Sequence, residues 1–352
     1  MGYQTIRDVD VKDKVVLVRV DYNVPMKDGK ITDDLRVRAS LPTLEYLLEA
    51  GAKKIFLISH LGRPKGEINL EFSLSPVADV LRKLLPKSKI GFYPLPEKGE
   101  VVPVPEDIKI ALLENLRFDP GEEENSAEFI KNIIEAIGAE IYVQDGFAVV
   151  HRAHASTDVV VRYLPVYMGL LLEKEVRNLE KVASNPEDPV LLIIGGSKVE
   201  DKEPLIEKFV GKAGQIAVGG KIAADGYEGG NNIYVAEDFD EDATGTKLDI
   251  GPLATAKIAG FITDAKTIIW NGLLGKAEDP VYATASTITA EMIGEKEGAT
   301  TVICGGDTTG FVENLMKDHP NLKYSLVSTG GGAALELLLG KELPGLVVIK
   351  QD

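Results

Sequence analysis

Short apolar, β-branched runs alternate with longer stretches of helical period along the whole chain, and this alternation restricts the fold more than any other feature. "KVVLVRVD" (14–21) is brief and bounded by charge, while "RVRASLPTLEYLLEAG" (36–51) carries apolar residues at helical spacing and stops at Gly51. "KIFLISH" (54–60) is the next expected strand, and "SLSPVADVLRKLL" the next helix, with Ser75 as its N-cap and Pro76 at its first position. "IKIALLEN", "SAEFIKNIIEAIG" and "EIYVQDGF" carry the pattern to about residue 147. A charged amphipathic stretch then intervenes, and the alternation restarts through "PVLLIIGGS", "QIAVGG", "TIIWNG", "TTVICGGD" and "KYSLVSTGGG". Strands alternating with helices imply right-handed crossovers and parallel sheets. At 352 residues the chain is long for one core. The expected fold is α/β: two Rossmann-like three-layer domains with mainly parallel sheets, 1–168 and 187–339, joined by a connecting helix at 169–186 and a hinge.

Charge narrows the partners. Fifty-five acidic against 39 basic residues give a formal charge of −16, the opposite of what binding to nucleic acid requires. The single cysteine, Cys304, excludes an intrachain disulfide and a thiolate metal cluster and fits a reducing compartment. The N-terminal stretch lacks the apolar core of a leader, and no apolar run is long enough to span a bilayer. The expectation is a cytoplasmic monomer with no membrane partner.

Ligands of open α/β sheets bind beyond the carboxyl ends of the strands, so the residues at the expected strand exits carry the functional reading. In the first half these are Arg19, Asp21 and Asn23, then His60 and Arg63 in "SHLGRP", Arg117 in "LLENLRF", and His151, Arg152 and His154 in "HRAHAS"; Arg36 opens the first helix. Arginine suits bidentate recognition of phosphate and carboxylate, and so many cations at one sheet edge of an acidic protein point to a small, multiply anionic ligand. His-x-x-His here has no cysteine and no third acidic ligand beside it, which disfavours a metal site. In the second half the exits carry glycines instead: "GGSK" (195–198), "GGK" (219–221), "NGLLG" (271–275), "CGGD" (304–307) and "STGGG" (328–332). Glycine lets backbone N–H groups approach a phosphate closely, so this half is expected to take a nucleotide. "GGDTTG" has the glycine spacing of a P-loop but continues with Phe311 and Val312 instead of Lys-Ser/Thr, and no dinucleotide fingerprint opens a βαβ unit. Asp307 stands where it could either hold Mg²⁺ against phosphates or cap a helix.

"RVDYNVP" (19–25), "SHLGRP" (59–64), "LLENLRF" (112–118), "HRAHAS" (151–156), "GGSKVEDK" (195–202), "WNGLLGKAE" (270–278), "GGDT" (305–308) and "STGGGAALELL" (328–338) occur in the order found in phosphoglycerate kinases. The chain resembles that family nearly end to end. The resemblance implies reversible phosphoryl transfer between 1,3-bisphosphoglycerate and ADP, giving 3-phosphoglycerate and ATP with Mg²⁺, in an interdomain cleft closed by hinge bending. It implies glycerate binding by Arg19, Asp21, Asn23, Arg36, His60, Leu61, Gly62, Arg63, Arg117, His151, Arg152 and His154. Lys198 and Lys202 would face the nucleotide phosphates, Glu278 the ribose, and Gly305, Gly306, Asp307 and Thr308 the phosphates and Mg²⁺. Arg36, Lys198, Lys202 and Gly331 would stabilise the transferring group. Residues 340–352 would return to the first domain. The chain departs from the usual pattern in being shorter, with the stretch after "GGKIAADGY" trimmed, and in placing Cys304 where glycine is common. Retention of Arg36, Lys202 and Asp307 favours an enzyme over a non-catalytic binding regulator on the same fold; a kinase for another acyl phosphate is the remaining alternative.

Overall fold

In the computed structural model, which describes residues 2–350, the alternation builds two six-stranded parallel sheets. The first contains β1 (Val15–Arg19), β2 (Lys54–Ile58), β3 (Ile90–Tyr93), β4 (Ile110–Leu113), β5 (Ile141–Gln144) and β6 (Val166–Met168), in the order β3-β4-β2-β1-β5-β6. The strands read as continuous apolar runs because both faces are covered. Val16, Val18, Ile55, Leu57, Ile110 and Leu112 point into one core, with Val37, Leu44 and Leu47 of α1 (Leu35–Glu49) and Val77 and Leu81 of α2 (Ser75–Leu84). Their alternates Leu17, Phe56, Ile58, Ala111 and Leu113 point into the other, under Ile130, Ile133 and Ile137 of α3 (Ala127–Ile137). Ser75 is not the cap of α2 but its first residue, with Leu74 flanking. Glu114 holds the lead-in to the helix, accepting from Leu74 N–H at 2.9 Å and from the Ser73 hydroxyl at 2.8 Å, and Ser73 Oγ accepts from Ser75 N–H at 3.2 Å.

Helix α4 (Leu170–Ser184) follows β6. Its start is held by Asp145, just past β5, whose Oδ1 accepts from Leu171 N–H at 3.0 Å and Leu172 N–H at 3.3 Å. Burial pushes the Asp145 carboxyl up to about 7. The second sheet contains β7 (Val190–Ile194), β8 (Gln215–Val218), β9 (Ile233–Val235), β10 (Thr267–Asn271), β11 (Thr300–Cys304) and β12 (Leu326–Val327), in the order β9-β8-β7-β10-β11-β12. Its helices are α5 (Glu203–Val210), α6 (Gly220–Ala224), α7 (Pro252–Asp264), α8 (Thr284–Gly294), α9 (Gly306–Asp318) and α10 (Gly332–Leu338). An antiparallel hairpin, Phe239–Glu241 with Lys247–Ile250, interrupts the βα rhythm. Strand order reverses between β7 and β10, the position at which sheets of this class open a crevice for a ligand.

The chain divides into two compact units. One runs from the N-terminus to Lys174 and resumes at Glu342; the other is Glu175–Lys341. In the resumed stretch, α11 (Pro344–Val347) packs by Gly345 N–H donating to Val150 O at 2.8 Å, and Lys350 bridges Tyr3. Met1 and the last two positions of the expected 340–352 return lie outside the described residues. No helix among the described residues is long and apolar enough to cross a membrane.

Candidate active site

Beyond the carboxyl ends of β1, β2 and β5, the first unit gathers its cations around a buried carboxylate. Arg19, only 1% exposed, donates from Nε to Ser156 Oγ at 2.8 Å, from Nη1 to Val20 O at 2.6 Å and from Nη2 to His60 Nδ1 at 3.1 Å. Beneath it Glu122, fully buried, accepts from the Ser156 hydroxyl at 2.7 Å and from Ser156 N–H at 3.0 Å, and lies 3.9 Å from both Arg19 Nη2 and His154 Nδ1. Arg117 is buried too, with Nη1 on Gly62 O at 2.8 Å and Nε 3.1 Å from Glu123. Arg36, on the first turn of α1, and Arg152 are only partly buried; Arg36 pairs with Asp21, and Arg152 donates to His151 Nε2 at 3.1 Å.

These contacts divide the expected ligands. Arg36, Arg152 and Asn23 are the partly exposed members of the cluster, and His60 is buried beside them. Arg19 lies beneath them with its donors already engaged, so it supports the patch instead of presenting a fork to a ligand. Leu61 belongs to the core, and its N–H is taken by Asn115 Oδ1 at 3.2 Å. Gly62 gives its N–H to Asn23 Oδ1 at 2.9 Å, and a Cβ there would come within 2.3 Å of the Phe72 ring. Leu61 and Gly62 shape the loop through these contacts. Arg63 is exposed on the same loop.

His60 and His154 are held toward the neutral form. Arginine has donors only, so His60 Nδ1 must accept, and its proton sits on Nε2. Burial first, then the charges of Arg19, Arg117, Arg152 and Arg36, holds His60 well below the ordinary imidazole range. The same causes, burial and then Arg117, Arg19, Arg152 and His151, lower His154 to about 4. An unperturbed imidazole gains charge near pH 6.5; the cluster around His60 and His154 opposes it. Their ring-proton resonances are expected to stay flat between about pH 5.5 and 8, and an inflection near 6.5 from either ring would contradict this arrangement.

In the second unit, a cavity of about 710 Å³ opens where β7, β8, β10 and β11 end, at the reversal of strand order. Backbones meet there without side chains between them. Gly272 has φ of +105°, and a Cβ on it would come within 2.1 Å of Gly195 O; one on Gly195 would come within 2.2 Å of Leu273 O. Gly305 has φ of +92°, and a Cβ there would sit 2.9 Å from Asn271 Oδ1. Gly305 and Gly306 open α9, and the first turn of a helix leaves N–H groups without intrahelical partners. Lys198, Lys202, Glu278, Asp307 and Thr308 all line this cavity. Gly331, the residue before α10, does not. Thr308 is buried, its hydroxyl accepting from Gly272 N–H at 2.8 Å, whereas Lys198, Glu278 and Asp307 are exposed.

Lys202, at the head of α5, is half-buried, with Nζ bonded to Asn271 Oδ1; burial lowers its pKa. Asn271 was not singled out from the sequence, although "WNG" drew attention to its neighbours. The hairpin is the other unanticipated part, since Phe239 and Thr246–Asp249 wall the cavity. A carboxylate on the first turn of a helix, facing a cavity with a lysine, suits Mg²⁺ that is held largely by ligand phosphates, because this ion is bound by one or two carboxylates and keeps its remaining positions for water and phosphate.

A phosphoglycerate kinase family model matches residues 6–242 and 227–341 of the chain. Among solved structures, the phosphoglycerate kinase of Coxiella burnetii is similar at 33% identity with a TM-score of 0.79, covering 99% of this chain and 98% of that one. The phosphoglycerate kinase of Pyrococcus horikoshii OT3 is similar at 27% identity with a TM-score of 0.82, covering 98% of both chains. The matches run over nearly the whole of both relatives. The chain belongs to the phosphoglycerate kinase family.

Proposed function

We propose that the chain catalyses reversible phosphoryl transfer between 1,3-bisphosphoglycerate and ADP, giving 3-phosphoglycerate and ATP. The observation that carries this reading is the division of labour between sheets: a cation cluster at the exits of one, and a glycine-walled cavity lined by Lys198, Lys202 and Asp307 at the exits of the other. Arg36, Arg152, the Nε2 proton of His60 and Asn23 bind the phosphate and carboxylate of the glycerate. The N–H groups at the head of α9, with Lys198 and Lys202, bind the nucleotide phosphates, and Glu278 the ribose. Asp307 helps hold Mg²⁺, which when bound neutralises charge on the nucleotide phosphates.

The acceptor needs no base, because a carboxylate is already ionised at neutral pH. What the protein supplies is alignment and stabilisation of charge on the transferring group. Arg36 from the first unit and Lys202 from the second provide it. Water must be kept out, since both the acyl phosphate and ATP hydrolyse; the hinge closure that the family resemblance implies would do this. Small-angle scattering is expected to show a smaller radius of gyration with both ligands than with either alone, and no change would count against closure. The transfer itself is tested by ATP consumption that depends on added 3-phosphoglycerate.

A further inference from the structure

Three hydrogen bonds run in one direction from the phosphate-facing lysine into the sheet. Lys202 Nζ donates to Asn271 Oδ1, Asn271 Nδ2 donates to Cys304 Sγ at 3.4 Å, and the Cys304 thiol donates to Trp270 O at 3.6 Å. Asn271 and Cys304 end neighbouring strands and face each other in register. The direction is set by chemistry. An ammonium can only donate, so the amide must present its oxygen to Lys202 and its NH₂ to sulfur. The thiol has one proton, which goes to Trp270 O and leaves a sulfur lone pair for the amide. Burial raises the thiol to about 12, so it keeps that proton throughout the working range. The fit is close on the remaining side, where Gly305 leaves room for the amide oxygen that a Cβ would crowd.

We propose that Cys304 is a positioning residue for phosphoryl transfer: it fixes the orientation of the Asn271 amide, and the amide oxygen in turn fixes the Lys202 ammonium at the cavity wall. A side chain that only filled this space would need neither lone pair nor proton. The inference rests on Lys202 acting on the transferring phosphoryl group. Without the sulfur, the amide is free to turn its NH₂ toward the ammonium. Lys202 then loses both its fixed position and its acceptor, while Asp201 and Asp307, the carboxylates acting on its charge, are unchanged.

The test compares Cys304→Ala with Cys304→Ser, whose hydroxyl can accept from the amide and donate to Trp270 O. In the alanine variant kcat is expected to fall on the order of tenfold, the scale of a misplaced catalytic group, with KM for 3-phosphoglycerate unchanged. The alkaline limb of the kcat–pH profile moves to lower pH, and serine restores both. In an Asn271→Ala background, Cys304→Ala should have no further effect on kcat, since the two act in series. Wild-type kcat and an unmoved alkaline limb in folded Cys304→Ala would overturn the relay, as would equal losses in the serine and alanine variants. If the alanine variant does not fold, Cys304→Val replaces it, with the same outcomes. Lys202→Ala separates the two levels of inference. If it keeps wild-type kcat, the role of Lys202 fails; if it loses activity while Cys304→Ala does not, only the relay fails.

Discussion

Arg36→Ala is expected to lower kcat by about 10²–10³-fold, the usual cost of removing one preorganised donor to a charge-developing centre, while KM for 3-phosphoglycerate rises far less. The split follows from how the cations are arranged. Arg19 spends its donors on protein acceptors, and both it and Arg117 are buried. Arg36 has one ion pair, to Asp21, and its side chain is 32% exposed, so it can turn a planar fork toward a ligand. Its place on the first turn of α1 adds the helix's positive end to its own charge. Arg152 shares the accessible side, so ground-state binding survives the loss of Arg36 better than catalysis does. Arg36→Lys should recover little, because a point charge does not reproduce a bidentate fork. Steady-state kinetics in both substrates settle the matter, and an unchanged kcat in Arg36→Ala would refute the assignment.

The second large effect is on stability. Glu122→Ala is expected to destabilise the first unit by about 3–5 kcal/mol, the cost of removing one member of a buried ionic network and stranding its partner. Glu122 is the carboxylate under the cluster, and it holds Ser156 by two hydrogen bonds while Ser156 holds Arg19 Nε. Its removal leaves the Arg19 guanidinium buried with no carboxylate beneath it. Urea denaturation followed by a probe in the first unit should show the midpoint fall. Glu122→Gln, which keeps one acceptor for Ser156, should lose less. Equal stability of wild type and Glu122→Ala would show that the network does not depend on this charge.

The short apolar runs and the glycines were legible in the sequence because they are local signals. "KVVLVRVD" can only be a strand buried on both faces, and "CGGD" can only be a tight exit into a helix. Capping was less legible: Ser75 has the right chemistry for a cap but is the first residue of α2, and its lead-in is held by Glu114, far along the chain. In the candidate site, the positions of the arginines were readable, but their separation into supporting and ligand-facing groups was not. That separation depends on Glu122, which within "GEEEN" looks like part of a solvated acidic run and is in fact fully buried. Titration behaviour was hidden for the same reason, since His154 is lowered by burial and by charges brought from several strand exits. The hairpin at 239–250 was missed because its two short strands carry little apolar periodicity. Asn271 was missed because its importance lies in two partners distant in sequence, Lys202 and Cys304.

The central claim is that the two strand-exit clusters serve one transfer reaction. The direct measurement is a coupled assay of the full chain with Mg·ATP, with and without 3-phosphoglycerate. The account predicts ADP formation only when 3-phosphoglycerate is present, abolished or nearly so by Lys202→Ala. Folded protein that binds ATP and shows no 3-phosphoglycerate-dependent turnover would contradict it.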